Sequence, residues 1–340
     1  MKPKVFMTRP LGDEAVEILT ARCEVSFNPD DSPLAPPELA HWLRDAEGAL
    51  VAGARLTADV IAQTPKLRAV SNVGVGYDNL DITALTARRI PATNTVGVVE
   101  ETTADLAFAL LLTVARRVRE GDQYVRRGQW RQWHWNLLWG ANVHQKTIGL
   151  YGFGQIGRAM ARRARGFGMQ IQYHSDHRAP ELVERELNAR FVDRETLLAE
   201  SDFLSLHVPL TAETRHLIGA SEFARMKPSA FLINTARGPV VDEQALAEAL
   251  AQHQIAGAAL DVFEQEPHVH PSLIGMANVV LTPHVGSATA ETRAAMARAA
   301  ALNLLDLLDG KRPRTLLNPE ALAEKGSQEP EIDSLLRSRI

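Results

Sequence analysis

The sequence predicts an α/β protein built on two doubly wound parallel sheets. Three observations carry that expectation. Short apolar runs alternate with helix-forming stretches from residue 4 to about 95, and a second alternation runs from about 147 to 281. The third is a glycine-rich turn, Gly152-Phe153-Gly154-Gln155-Ile156-Gly157, which opens the second series almost halfway along the 340 residues. Strand-helix alternation of this kind argues for parallel strands covered by helices on both faces.

Val5-Phe6-Met7 reads as a strand followed by a helix around Asp13 to Arg22. Ala49-Leu50-Val51-Ala52 follows a helix from about Pro37 to Asp45, and Ala69-Val70-Ser71-Asn72-Val73 follows one from Ala58 to Gln63. The stretch Glu101 to Leu112 reads as a long, largely buried helix suited to connect two domains. Thr102 with Asp105 has the spacing of a capping box at its start. In the second series the strand windows are 147–151, 170–174, 190–192, 203–208, 230–234, 257–261 and 279–281. A helical run from Glu291 to Leu308 comes too late for another strand and is expected to return to the first domain. From about Ala323 the chain is polar and turn-rich, so disorder or a partner contact is expected over 323–340.

Composition narrows the function classes. A chain of this length has room for two separate cores. Lys+Arg is 37 against Asp+Glu 41, a net charge of -4 with no long basic run. Nucleic acid is therefore not an expected partner, because phosphate binding needs clustered positive charge. The single cysteine, Cys23, excludes an internal disulfide and fits a reducing compartment. No basic, apolar leader precedes Lys4-Val5-Phe6-Met7-Thr8, and the largely apolar run Leu106 to Ala115 is too short to cross a bilayer. A soluble, cytoplasmic protein is expected, without membrane attachment and without a bound metal.

The glycine turn gains meaning from its flanks. It follows the apolar run Thr147-Ile148-Gly149-Leu150-Tyr151 and precedes the helix-prone Arg158-Ala159-Met160-Ala161-Arg162-Arg163. In a strand-turn-helix context Gly152 permits the tight turn, Gly154 lets a pyrophosphate approach the backbone, and Gly157 lets helix and strand pack closely. A dinucleotide site is expected there. Three later stretches end apolar strands with polar residues, where a doubly wound fold places reactive groups. They are Asn234-Thr235-Ala236-Arg237-Gly238, Leu260-Asp261-Val262-Phe263-Glu264-Gln265-Glu266-Pro267 and Leu281-Thr282-Pro283-His284-Val285-Gly286. Taken singly, His284 also reads as a loop histidine, Glu266 as a surface acid and Arg237 as a helix-capping cation.

Together with the glycine turn, these stretches resemble the D-isomer-specific 2-hydroxyacid dehydrogenase family over residues 3 to 320. The motifs are GFGQIG, NTARGPVVDEQAL, DVFEQEP and TPHVGSAT, in that order. NVGVGYDNLD, ETTADLAFALLL and HVPLTAETRHLI look most like its glyoxylate/hydroxypyruvate reductase branch. The resemblance implies two flavodoxin/Rossmann-like lobes, with the substrate lobe formed by both chain ends. It would comprise residues 1–99 and 288–322, and the NAD(P)-binding lobe 100–287, with the site in the cleft. It also implies Arg237, Glu266 and His284 as the catalytic residues of an NAD(P)H-dependent reduction of a small 2-oxo acid. Glyoxylate and hydroxypyruvate lead, with 2-ketogluconate close behind.

That chemistry suits the residue types. An imidazole titrates near working pH and can give a proton to the carbonyl oxygen, and a carboxylate beside it favours its charged form. A planar guanidinium binds the substrate carboxylate. The resemblance also places main-chain donors for that carboxylate at Val75 and Gly76. Val75 stands where the related phosphite dehydrogenases carry lysine, and Glu266 where formate dehydrogenases carry glutamine. Both branches are disfavoured. Arg293 reads either as a contact to a longer substrate or as a helix-surface arginine.

Implied cofactor contacts are Thr103, Gln155, Ile156, Val208, Pro209, Thr214, Thr235, Ala236, Arg237, Asp261, His284 and Gly286, with Asp261 the family's usual partner for the nicotinamide carboxamide. The choice of cofactor turns on Ser175-Asp176-His177-Arg178. An acid at this point accepts hydrogen bonds from the ribose 2′-OH and repels a 2′-phosphate. Asp176 therefore favours NAD, while Ser175, His177 and Arg178 would still admit NADP. Trp130, Trp133, Trp135 and Trp139 cluster before the glycine turn. They read either as a homodimer interface, with Trp139 touching a neighbour's substrate, or as a cap over the local core. A second functional reading is a non-enzymatic, nucleotide-sensing corepressor of the same fold.

Overall fold

The computed structural model describes residues 1–322, which form two units. The first is Met1–Val99 with the described residues from Ser287 on, and the second is Glu100–Gly286. The polar tail at 323–340 lies outside the described residues.

In the first unit the strands are β1 (Lys4–Met7), β2 (Glu24–Phe27), β3 (Gly48–Val51), β4 (Ala69–Asn72) and β5 (Ala92–Thr93). All pair in parallel in the order β2-β1-β3-β4-β5, the flavodoxin-like arrangement, in which the winding reverses between β1 and β3. β3 and β4 are buried at every position, as strands covered on both faces must be. The edge strand β2 buries little, and β5 has two residues, so neither stands out as an apolar run. The helix Ala290–Leu308 belongs to this unit and starts on the side chain of Thr289, which accepts from the Thr292 amide. Its residues Ala297, Ala300, Ala301 and Leu304 share a core with Val5, Met7, Leu19 and Ala69. Burying one such leucine stabilises the unit by about 1.5–3 kcal/mol.

The second unit holds β6 (Thr147–Tyr151), β7 (Gln170–His174), β8 (Ala189–Phe191), β9 (Phe203–Leu206), β10 (Phe231–Asn234), β11 (Gly257–Leu260) and β12 (Val279–Leu281). They form a parallel sheet in the order β12-β11-β10-β9-β6-β7-β8, the Rossmann order with one strand added. Every strand window read from this half of the sequence is a strand. Side chains alternate between the two faces: Phe231 and Ile233 enter one core, Leu232 the other. The helix Glu100–Ala115 fills the first of these cores. It begins at Glu100, so Thr102 lies inside the first turn and does not cap it. The acids Glu100 and Glu101 occupy that turn, where the helix dipole favours negative charge. Among the described residues no helix is long and apolar enough to cross a membrane.

Candidate active site

Winding reverses between β6 and β9, and the glycine turn leaves β6 at that point. Gly152 has φ 92°, a left-handed conformation that glycine adopts without strain. A Cβ there would stand 2.7 Å from the carbonyl of His207 at the end of β9. The Gly152 amide donates to the His174 carbonyl at the end of β7, at 2.8 Å. A Cβ on Gly157 would meet the Gly152 carbonyl oxygen at 2.4 Å, whereas nothing lies within 4 Å of one on Gly154. Two glycines thus serve packing, and the third leaves an opening in front of the helix Gln155–Gly166. An exposed helix start with its amides facing open space suits a pyrophosphate. The hydroxyl of Thr235, after β10, is buried without a hydrogen-bond partner, as a group awaiting a ligand would be. These features fit a dinucleotide.

Val208 and Pro209 follow β9, and Val208 Cγ1 comes 3.0 Å from the place a Gly152 Cβ would occupy. Thr214 fixes the loop by donating its hydroxyl to the Pro209 carbonyl at 2.6 Å. After β7, Asp176 and His177 are exposed, and Ser175 donates its hydroxyl to the His177 carbonyl at 2.6 Å. Arg178 turns back onto the buried Glu184, with two bonds of 2.9 Å. That guanidinium, foremost among the opposing forces, holds the Glu184 carboxyl below its ordinary range.

Beyond β10, β11 and β12 the catalytic candidates converge. His284 Nδ1 lies 2.8 Å from Glu266 Oε2. Glu266 Oε1 accepts from the Phe263 amide at 3.1 Å. Burial pushes the Glu266 carboxyl upward, yet the His284 hydrogen bond and charge, the Phe263 amide and Arg237 outweigh it and hold the group below its usual range. The acid is therefore ionised at neutral pH, as a partner for imidazolium must be. Arg237 is half-buried, with its Nη1 donating to the Ala236 carbonyl at 2.8 Å. Asn234 staples its turn: the carboxamide donates to the Arg237 carbonyl and accepts from the Ala236 amide, each at 3.0 Å. A Cβ on Gly238 would fall 1.9 Å from the Phe263 carbonyl carbon, so the Arg237 turn lies directly on the chain leading to Glu266.

Asp261 is the clamp of the histidine loop, a role the sequence did not disclose. It is 1 % exposed. Its Oδ1 accepts from the Thr282 hydroxyl at 2.6 Å and the Val285 amide at 2.9 Å, and its Oδ2 accepts from the Gly286 amide at 2.8 Å. Three of about four carboxylate acceptor positions are thereby occupied, which leaves little for a carboxamide. Thr103 approaches Gly286, its Cγ2 lying 3.5 Å from where a Cβ would sit.

In the first unit, the carbonyls of the Val75–Gly76 loop are tied back by carboxamides. Asn94 donates to the Val75 carbonyl and Asn72 to the Gly76 carbonyl, each at 2.8 Å. The Thr95 amide donates to the Gly74 carbonyl at 3.1 Å. Peptide carbonyls held on one side turn their N–H groups to the other, the orientation an anion needs. Neither asparagine is assigned a role by the sequence alone: Asn72 stands there as the first residue of NVGVGYDNLD, and Asn94 follows a strand too short to read. Arg293 is exposed in the first turn of its helix.

Trp130, Trp133, Trp135 and Trp139 are 57–76 % exposed, so most of their surface faces away from the local core. Trp139 donates its Nε1 to the Trp135 carbonyl at 2.7 Å. It lines a cavity with Phe231, Ala256 and Asn278, at the amino ends of β10, β11 and β12. Arg237, Glu266 and His284 follow the carboxyl ends of those strands, so Trp139 is not brought to the triad of its own chain.

Residues 108–286 match the model of the D-isomer specific 2-hydroxyacid dehydrogenase NAD-binding domain. Glyoxylate reductase of Thermococcus litoralis is 47% identical over 329 residues, covering 95% of this chain and 98% of that protein. The crystal structure of the TT0316 protein from Thermus thermophilus superposes with a TM-score of 0.86 at 41% identity, covering 92% of this chain and 99% of that one. An NADPH-dependent glyoxylate/hydroxypyruvate reductase from Sinorhizobium meliloti, crystallised with NADP and malonate, gives 0.83 at 33% identity, over 94% and 98%.

Proposed function

The chain belongs to the D-isomer specific 2-hydroxyacid dehydrogenase family, and from that premise we propose that it reduces a small 2-oxo acid to the D-2-hydroxy acid. Glyoxylate and hydroxypyruvate are the leading substrates, 2-ketogluconate the next. The observation that carries the proposal is the 2.8 Å pair of His284 and an ionised Glu266, with Arg237 beside them. When bound, the nicotinamide supplies the hydride to the carbonyl carbon. His284 presents Nδ1 to Glu266, which leaves Nε2 to give its proton to the carbonyl oxygen, and Glu266 stabilises the imidazolium before transfer. Arg237 binds the substrate carboxylate as a two-pronged donor, and the amides of Val75 and Gly76 are the main-chain donors the first unit offers to an acid.

NAD is the favoured cofactor over NADP. Asp176 is exposed at the end of β7, and Arg178 is engaged with Glu184. In this reading the unit Glu100–Gly286 holds the dinucleotide and also carries Arg237, Glu266 and His284. The exposed tryptophans support a homodimer, in which Trp139 would reach the neighbour's substrate. A cytoplasmic setting fits the lone cysteine.

Steady-state oxidation of NADH and NADPH with a panel of 2-oxo acids tests this. Turnover of glyoxylate or hydroxypyruvate is expected. His284→Ala should lower kcat by about two to four orders of magnitude, the usual worth of general acid–base catalysis, with dinucleotide affinity retained. Dinucleotide binding without turnover of any acid would instead point to the nucleotide-sensing corepressor.

A further inference from the structure

We propose that Glu243 is a positioning residue for the Glu266–His284 pair, acting through a carboxylate bracket on the loop that carries Glu266. The inference rests on the catalytic assignment made above. Glu243 is the first residue of the helix Glu243–Ala251 and is 6 % exposed. A carboxylate that deep needs hydrogen-bond donors, and it takes two backbone amides from one loop. Oε1 accepts from the Glu264 amide at 2.6 Å and Oε2 from the His270 amide at 3.2 Å. Those amides are six residues apart and enclose Glu266 and Pro267.

The bracket is reciprocated. Glu264 Oε2 accepts from the Glu243 amide at 3.1 Å, and Glu264 Oε1 lies 2.5 Å from His216 Nε2. The His270 ring approaches Gln244 Oε1 with its Nε2 at 2.9 Å, which adds a side-chain tie at the loop's far end. The start of the loop, at Phe263 and Glu264, also rests on Gly238, next to Arg237. Starting the helix does not require the Glu243 side chain, because Asp242 already caps it by accepting from the Ala245 amide at 2.9 Å. The Glu243 carboxylate instead fixes where the loop enters and leaves, and so where the Glu266 carboxylate meets the imidazole. Misplacing a catalytic group by about 1 Å costs on the order of a hundredfold in rate.

Glu243→Gln keeps the volume but turns an amide N–H₂ toward one of the two backbone donors, so one bracket bond is lost. In the full-length enzyme we expect kcat to fall about tenfold or more, while NADH binding, followed by fluorescence titration, stays unchanged. The pH profile supplies the discriminating readout. His284 helps hold the Glu266 carboxyl low, so a loosened pair lets that carboxyl rise. The acid limb of turnover should therefore move to higher pH. A role confined to stability would lower Tm and leave that limb in place. Glu264→Gln, which removes the reciprocal arm, should shift the limb in the same direction by less. A folded Glu243→Gln enzyme with wild-type kcat and an unmoved limb would overturn the proposal. If Glu243→Gln does not fold, an unmoved limb in Glu264→Gln overturns it instead. Retained turnover in His284→Ala marks the separate failure of the catalytic assignment.

Discussion

His284 sits at φ 53°, a left-handed conformation that costs a non-glycine residue about 1–2 kcal/mol. The Asp261 carboxylate and carbonyl offset that strain by binding both sides of the histidine, through the Thr282 hydroxyl and the amides of His284, Val285 and Gly286. At this scale the cofactor choice can also be tested. Asp176→Arg removes an acceptor for a ribose 2′-OH and adds a phosphate donor, so the ratio of kcat/KM for NADPH over NADH should rise tenfold or more, on the order of one charge-assisted hydrogen bond. An unchanged ratio would place discrimination elsewhere, with His177 the next residue to replace. Arg237, Glu266 and His284 were legible because their motifs fix residue type and spacing together. Glu243 was not, and Asp261 was legible only as a cofactor contact, not as the clamp of the histidine loop. A carboxylate's partners depend on how neighbouring strand ends come into register, and nothing local in DVFEQEP or VVDEQAL encodes it.

Among the elements, the strands of the second sheet were legible because each is a short apolar run buried on both faces. β2 and β5 escaped, one for its exposed polar edge and the other for its length. The supposed capping box at Thr102 failed for a related reason: hydroxyl-acid spacing recurs inside helices, and only the preceding turn decides where one begins. Gly238 shows how an element junction constrains the site. Its missing side chain is what lets the β10 turn rest on the segment leading to Glu266. Gly238→Ala would push against backbone and not against a yielding side chain. A loss of about 1–3 kcal/mol in denaturant unfolding is expected, the usual range for overpacking, together with a lower kcat. Wild-type stability and turnover would show that the two turns can separate without consequence.

The molecule as a whole was legible in its two-unit plan, since a glycine turn placed halfway requires another unit before it. Where the tryptophans lie was not legible, because aromatic residues serve cores and surfaces alike. Trp133 and Trp135 sit edge to face, 6.1 Å apart between ring centroids, with most of their surface open. If the homodimer proposed above forms through this face, replacing both with serine should leave a monomer in sedimentation at micromolar concentration. A doubly substituted protein that still sediments as a dimer would move the interface to another face.

The helix Ala290–Leu308 covers a sheet whose first strand is Lys4–Met7, and that packing dictates an order of events during synthesis. By the time Gly286 has left the ribosome, the later-made unit is complete in sequence and free to close. The earlier-made one must wait, the sheet face bearing Val5, Met7 and Ala69 only part-covered, until the last of its own residues emerge. Chains released between those two moments would carry a finished dinucleotide fold and a first sheet with part of one apolar face still open to water.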